Sequence, residues 1–291
     1  DDALPIRVGS HVALPQIVVV GAESSGKSSV LSAISRVQFP ARGGVCTRFA
    51  TELSLREADE PNLEVCIRPH ADSSSEMKSY LAEFHHKGND FGMLSQVFDS
   101  ATKHMKIDDG ENIYSKHTLS IRISGPDVPQ LTLVDLPGIY SVGQSGKPAA
   151  HGEALENMAR SYMAKQNTII LTVIAAGATV STNRILEIVK PYNERALGIL
   201  TKPDLVDLGG ESETILFRLL QNSDPATYMK YGWHVLRNPK ERETRDLDER
   251  DKNEDELFKA QPWVKIPRMN RGIKSLRAKL CRVLQDHVAQ K

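Results

Sequence analysis

Residues 21–28 read Gly21-Ala22-Glu23-Ser24-Ser25-Gly26-Lys27-Ser28, a full G-x-x-x-x-G-K-[ST] phosphate loop, and the apolar run Gln16-Ile17-Val18-Val19-Val20 leads straight into it. A buried strand that ends in small residues lets the backbone curl until its N–H groups face a phosphate chain. The helix expected from Lys27 adds the positive end of its dipole. Lys27 is expected to reach the β- and γ-phosphates and the Ser28 hydroxyl to ligate Mg²⁺, while Gly21 and Gly26 give backbone freedom that a Cβ would deny. A glycine-rich turn of no function is the alternative, and the strand in front of the loop weighs against it. The segment predicts a nucleoside triphosphate site.

Working outward, strand-like and helix-like runs alternate, which argues for an α/β sheet flanked by helices on both faces. A helix is expected from Lys27 to about Ser35, and strands at Ala50–Leu55, Leu63–Arg68, Thr168–Ala175 and Ala196–Leu200. A further helix is expected at Asn183–Val189, ended by Pro191. Leu119–Ser124 and Leu131–Val134 flank the turn-rich 125–129, so a hairpin and a mixed, mostly parallel sheet are expected. Ile273, Leu276, Leu280, Leu284 and His287 recur at helical spacing, and packing of that face on the domain is favoured over a free partner-binding helix. Residues 69–116 are polar and mostly helical in pattern. Residues 237–261, with the mixed-charge run 246–254, read as a solvated helix or loop.

At 291 residues, with 40% hydrophobic and 25% charged residues, the chain has the composition of a globular protein. Lys plus Arg and Asp plus Glu each total 37, so overall charge offers no drive toward nucleic acid, and no such partner is expected. The three cysteines, Cys46, Cys66 and Cys281, lack metal-ligand spacing and suit a reducing compartment. The longest apolar stretch, Thr168–Val180, is too short to cross a bilayer, and no signal peptide is evident. The numbering opens on Asp1, so the expectation is a cytoplasmic module excised from a longer protein.

Three further motifs name the nucleotide. Val134-Asp135-Leu136-Pro137-Gly138 ends a strand, where Asp135 can hold Mg²⁺ and the Gly138 N–H can meet a γ-phosphate. Thr201-Lys202-Pro203-Asp204 follows another apolar strand. The Asp204 carboxylate can accept two N–H groups from a guanine edge, which adenine does not offer, while the Lys202 stem covers the base. Gly43-Gly44-Val45-Cys46-Thr47-Arg48 supplies a switch whose Thr47 would ligate Mg²⁺ when a γ-phosphate is present, with Arg48 read as a structural arginine. Two pairs of readings stay modest: His85-His86 as surface histidines rather than a metal site, and Cys46 as a small apolar filler rather than a redox gate.

Together these stretches resemble the GTPase domain of the dynamin superfamily, Mx proteins included: 21–30, 45–48, 133–139 and 201–207 carry the likeness. The resemblance implies an extended P-loop NTPase G domain over 1–291, whose stalk and helical bundle are absent. It implies nucleotide contacts from Gly21, Glu23, Ser24, Ser25, Gly26, Lys27, Ser28, Ser29, Gly44, Asp135, Gly138, Thr201, Lys202, Asp204, Asp207 and Arg237. Ser24, Lys27, Thr47 and Gly138 would be catalytic, Ser28, Thr47 and Asp135 would hold Mg²⁺, and Ser24 resembles the serine that holds K⁺ or Na⁺ beside the phosphates. It also implies GTP and GDP as ligands, nucleotide-dependent homodimers of G domains, and lipid contacts in a full-length, peripherally membrane-associated protein. Three positions depart from the family pattern: Glu23 in place of glutamine, Arg42 in place of glycine, and Val235-Leu236-Arg237-Asn238 in the last base-binding loop. A slow GTP-binding switch with little turnover is the alternative function that Glu23 and Arg42 keep open.

Overall fold

The computed structural model describes residues 15–39, 47–108, 112–126, 128, 130–140, 149–179, 183–240, 243 and 246–289. Among these, nine strands form one sheet. They are β1 (Gln16–Gly21), β2 (Ala50–Glu57), β3 (Asn62–Arg68), β4 (His85–Gly88), β5 (Thr118–Gly125), β6 (Leu131–Asp135), β7 (Thr168–Ala175), β8 (Ala196–Thr201) and β9 (Trp233–Val235), in the order β4-β3-β5-β2-β6-β1-β7-β8-β9. Five of the eight pairings are parallel, so the sheet is mixed and mostly parallel.

The apolar run of β1 serves two faces at once, because successive strand side chains point to opposite sides. Ile17 and Val19 join one buried cluster and Val18 and Val20 the other. On the first face lie α1 (Lys27–Ser35), α2 (Ser75–Ala82), α3 (Leu94–His104) and α8 (Ile273–Ala289), through residues such as Leu31, Leu81, Val97 and Leu276. On the second lie α4 (Ala149–Met163), α5 (Arg184–Val189) and α6 (Glu211–Gln221), through Met163, Ile185 and Leu216. The face of α8 read from its spacing packs on this core: Ile273, Leu276 and Leu280 are buried and Leu284 lies against them.

Three expectations need correction. The segments at 119–124 and 131–134 do not form a hairpin, because β2 lies between them. Leu53 pairs with Ile121 in parallel on one side and with Leu133 in antiparallel on the other. The chain reverses between β5 and β6 without making the two strands neighbours, and the insertion satisfies both hydrogen-bonding edges of β2 while burying Leu53 and Leu55. Second, His85 and His86 sit on β4 rather than a helix. His85 Nε2 lies 3.2 Å from Glu64 Oε1, and the alternation of a strand sends His86 the other way. Third, the mixed-charge run forms α7 (Leu247–Leu257), capped by the Asp246 side chain, but it is not solvated all round. Arg250 and Glu254 are each only 1% exposed.

Candidate nucleotide site

β1, β6, β8 and β9 all point the same way, so Gly21, Asp135, Thr201 and Val235 end at one edge of the sheet. In an open α/β sheet this carboxyl-end edge is where ligands bind. The chain there has almost no slack. A Cβ on Gly21 would lie 2.4 Å from the Val173 carbonyl oxygen, and Gly26 has φ +94°, in the left-handed region open to glycine. Ile139 N–H donates to Gly21 O at 3.1 Å, which brings the Asp135–Gly138 turn against the phosphate loop. A Cβ on Gly138 would come within 2.6 Å of Glu23 Cα.

Lys27 is buried in the first turn of α1, and its Nζ donates to Ala22 O at 2.9 Å and Gly21 O at 3.3 Å. The ammonium is therefore folded into the concavity of the loop. Beside it, the Ser28 Oγ and Thr47 Oγ1 hydroxyls donate to Asp135 Oδ2 at 2.9 and 3.0 Å and stand 3.4 Å from each other. Asp135 is 3% exposed, and its Oδ1 accepts no hydrogen bond among the described residues. Burial pushes its carboxyl above the usual range, opposed by the Lys27 charge and the two hydroxyls. A buried carboxylate with an unused oxygen and two converging hydroxyls is an oxygen-only set, the chemistry a hard divalent cation such as Mg²⁺ takes.

The remaining predicted residues that the structure describes lie on the phosphate loop, on the segment after β8 and just past β9. Ser25 is buried and its carbonyl accepts the Thr201 hydroxyl at 2.6 Å, so the end of β8 is tied to the phosphate loop. Ser24 is exposed at φ +57° and Ser29 lies in the first turn of α1. Glu23 sits close to Tyr114 and Tyr140. Burial, and then the Glu23 charge, push the Tyr114 phenol up to about 12 and raise that of Tyr140. Lys202 takes a left-handed conformation at φ +56° and starts the short turn of Pro203–Leu205 that presents Asp204. Asp207 lies exposed further along the same segment. Gly44, with Arg42, Gly43, Val45 and Cys46, lies outside the described residues.

Arg237 stands at the site's edge, with its guanidinium on Glu243 and its backbone N–H on Glu254 Oε1 at 2.9 Å. Two residues touch the site more directly: Asn238, read from the sequence only as a departure in the last base-binding loop, and Lys240, which was not singled out. Asn238 Nδ2 donates to Gly26 O at 3.2 Å, and Lys240 Nζ pairs with Asp204 Oδ2 at 3.3 Å. Their only signal in the sequence is position, just past the end of a strand parallel to β8.

Among the described residues no helix is long and apolar enough to cross a membrane. The dynamin family model matches residues 17–203. Over 270 residues the chain is 34% identical to the interferon-induced GTP-binding protein Mx1 of Ictalurus punctatus, covering 90% of this chain and 40% of that protein. It is 32% identical over 274 residues to Mx2 of Mus musculus, covering 91% and 39%. With the Mx protein of Perca fluviatilis the identity is 33% over 247 residues, covering 81% and 74%. The chain thus spans about two fifths of the catfish and mouse proteins' length. On the matched span and these likenesses, the chain belongs to the dynamin family.

Proposed function

We propose that the chain binds GTP with Mg²⁺ and hydrolyses it to GDP and phosphate. The observation that carries this is the meeting of Ser28, Thr47 and Asp135 within hydrogen-bond reach of one another beside the phosphate loop, at the sheet edge that also presents Asp204. The relatives' description as GTP-binding proteins supports the choice of nucleotide.

Ser28, Thr47 and Asp135 would hold the Mg²⁺, which when bound supplies charge neutralisation to the phosphate oxygens. Lys27 adds a second positive charge from inside the loop, and the loop amides and the dipole of α1 a third contribution. The Gly138 N–H is offered to the γ-phosphate, and the Thr47 backbone orients the attacking water. No side-chain base is required, because positioning and electrostatics dominate phosphoryl transfer. Asp204 accepts two guanine N–H groups, with Lys202 over the base and Asp207 and Arg237 beside it. Ser24 is the residue we assign to a monovalent cation, K⁺ or Na⁺.

In the same reading the chain is the G domain of a longer, cytoplasmic, peripherally membrane-associated protein, and its face-to-face pairing across the nucleotide accelerates turnover. The test is phosphate release from GTP, with ATP as control, over a wide range of protein concentration in K⁺ and in a large inert cation. Specific activity that climbs with concentration and needs K⁺ is the expected result. Flat, near-zero turnover with intact GTP binding would favour the slow-switch reading, which the Glu23 carboxylate within the phosphate loop motivates. Glu23→Gln in single-turnover kinetics then separates the two, since only the slow switch gains substantially from losing that charge.

A further inference from the structure

Helix α7 is the most polar helix among the described residues, yet it carries a fully buried ion pair. Glu254 uses both of its oxygens twice. Oε1 accepts from Arg237 N at 2.9 Å and Arg250 Nη2 at 2.6 Å, and Oε2 from Ile273 N at 2.7 Å and Arg250 Nη1 at 2.9 Å. One carboxylate therefore joins three elements: α7 itself, the loop that leaves β9, and the first turn of α8. At its other end α7 holds the phosphate-loop helix. Arg36, the residue that closes α1 at φ +61°, donates to Leu247 O at 3.2 Å and to Asp251 Oδ2 at 3.1 Å and pairs with Asp248.

Stability alone does not account for such a pair. Taking both charges out of water is costly, and apolar side chains of similar volume often do as well or better. An apolar substitute could not accept the Arg237 and Ile273 N–H groups. Those two bonds fix where the chain turns after β9. On the near side of Arg237, Leu236 N–H donates to Leu200 O at 2.9 Å. On the far side come Asn238 on Gly26 O and Lys240 on Asp204. The span 236–240 thus bridges the phosphate loop and the base-side carboxylate, and Glu254 grips it in the middle.

We propose that Glu254, oriented by Arg250, is a positioning residue for nucleotide affinity, holding loop 237–240 through the Arg237 N–H so that Asn238 and Lys240 meet the phosphate loop and Asp204. The proposal rests on the GTP-site reading above. It assigns to α7 a part in binding that its composition does not suggest.

The experiment uses three variants of this chain. Glu254→Asp keeps the charge for Arg250 but withdraws the carboxylate from Arg237. Glu254→Gln keeps the length and loses the charge. The double change Arg250→Met with Glu254→Leu removes the ion pair, and Asp251, which also loses Arg250 Nη1 at 2.9 Å, keeps Arg36 at 3.1 Å. Mg²⁺–GDP affinity, GTP turnover, melting temperature without nucleotide and amide hydrogen exchange at 236–240 are measured for each.

Losing one buried acceptor is expected to raise the GDP Kd and the GTP KM by about tenfold, with kcat nearly unchanged. Exchange at 236–240 should quicken in every folded variant, including any whose melting temperature matches the parent's. A folded double variant with GDP affinity within about twofold of the parent and unchanged loop exchange would overturn the proposal; the shift to exceed is the tenfold one expected from a lost buried hydrogen bond. Parent protein that fails to bind GDP would instead sink the nucleotide reading, and the exchange data would still decide whether Glu254 holds the loop.

Discussion

A single methyl group at position 138 would lie 2.6 Å from Glu23 Cα and 2.8 Å from Glu23 N, backbone atoms that cannot swing aside. Gly138→Ala is therefore expected to force the Asp135–Gly138 turn away from the phosphate loop and to destabilise the chain by about 1–3 kcal/mol. It should weaken GTP more than GDP if the displaced N–H is, as proposed, the one offered to the γ-phosphate. Competition binding with both nucleotides checks this, and equal losses would remove Gly138 from that role. Positions like this one, and Lys27, Ser28 and Asp135, were legible in the sequence because their chemistry fixes residue type and spacing together. Lys240 and Glu254 were not, because one acts on a carboxylate 36 residues away and the other through a backbone N–H that any residue could offer, and Asn238 was read only as a departure from a loop pattern. A different residue, His234 on β9, is expected to set part of the acid sensitivity. It is fully buried, its Nε2–H donates to Gly272 O at 2.9 Å, and burial lowers its pKa from 6.5 to about 3. The unfolded chain then binds more protons than the folded one between those values. Stability is full above about pH 6.5 and falls on acidification, by up to about 1.4 kcal/mol per pH unit from this group. His234→Gln should flatten the pH dependence of the urea midpoint between pH 7 and 5, and an unchanged slope would show that other groups set it.

At the scale of the element, β9 is only three residues long, and its attachment depends on how Trp233 seats against β8. The ring lies over Gly198, where a Cβ would be 2.2 Å from a ring carbon, and its Nε1–H donates to Thr227 O at 3.0 Å. Gly198→Ala must push the indole off both the strand and that carbonyl, at about 1–3 kcal/mol. Urea unfolding measures the loss, and amide exchange at Leu236 should quicken with it. Near-parent stability would mean that the ring can shift freely. β9 was not read from the sequence, because three residues are too few to show a pattern. Buried strands such as β7 and β8 declare themselves as apolar runs, α1 by its place after the phosphate loop and α8 by its periodicity. Strand order does not, because β5 and β6 are separated by β2 through hydrogen bonds that leave no mark on composition. Helix α7 was misjudged for a related reason. Two of its charges neutralise each other in the interior, and a sequence pattern counts charges without pairing them.

For the whole molecule, the two faces of the sheet are covered by helices, while the phosphate loop, the Asp135 turn, the Asp204 turn and loop 237–240 are drawn from widely separated parts of the chain. A ligand that touches all four can be held only by the folded chain, so its binding energy adds directly to stability. At a GDP concentration of about 100 times Kd, with Mg²⁺, the gain is about 2.7 kcal/mol, which for a domain of this size is a rise in melting temperature of about 5 °C. ADP under the same conditions is expected to give a clearly smaller rise, because its edge cannot donate two N–H groups to Asp204. Lys27→Ala should remove most of the rise for both nucleotides, since it deletes the charge inside the loop. Asp204→Asn should instead narrow the gap between GDP and ADP while leaving the phosphate contribution in place. The two variants therefore separate the halves of the site. Equal rises with GDP and ADP in the parent protein would take the guanine role from Asp204 and leave only the phosphate-binding half standing.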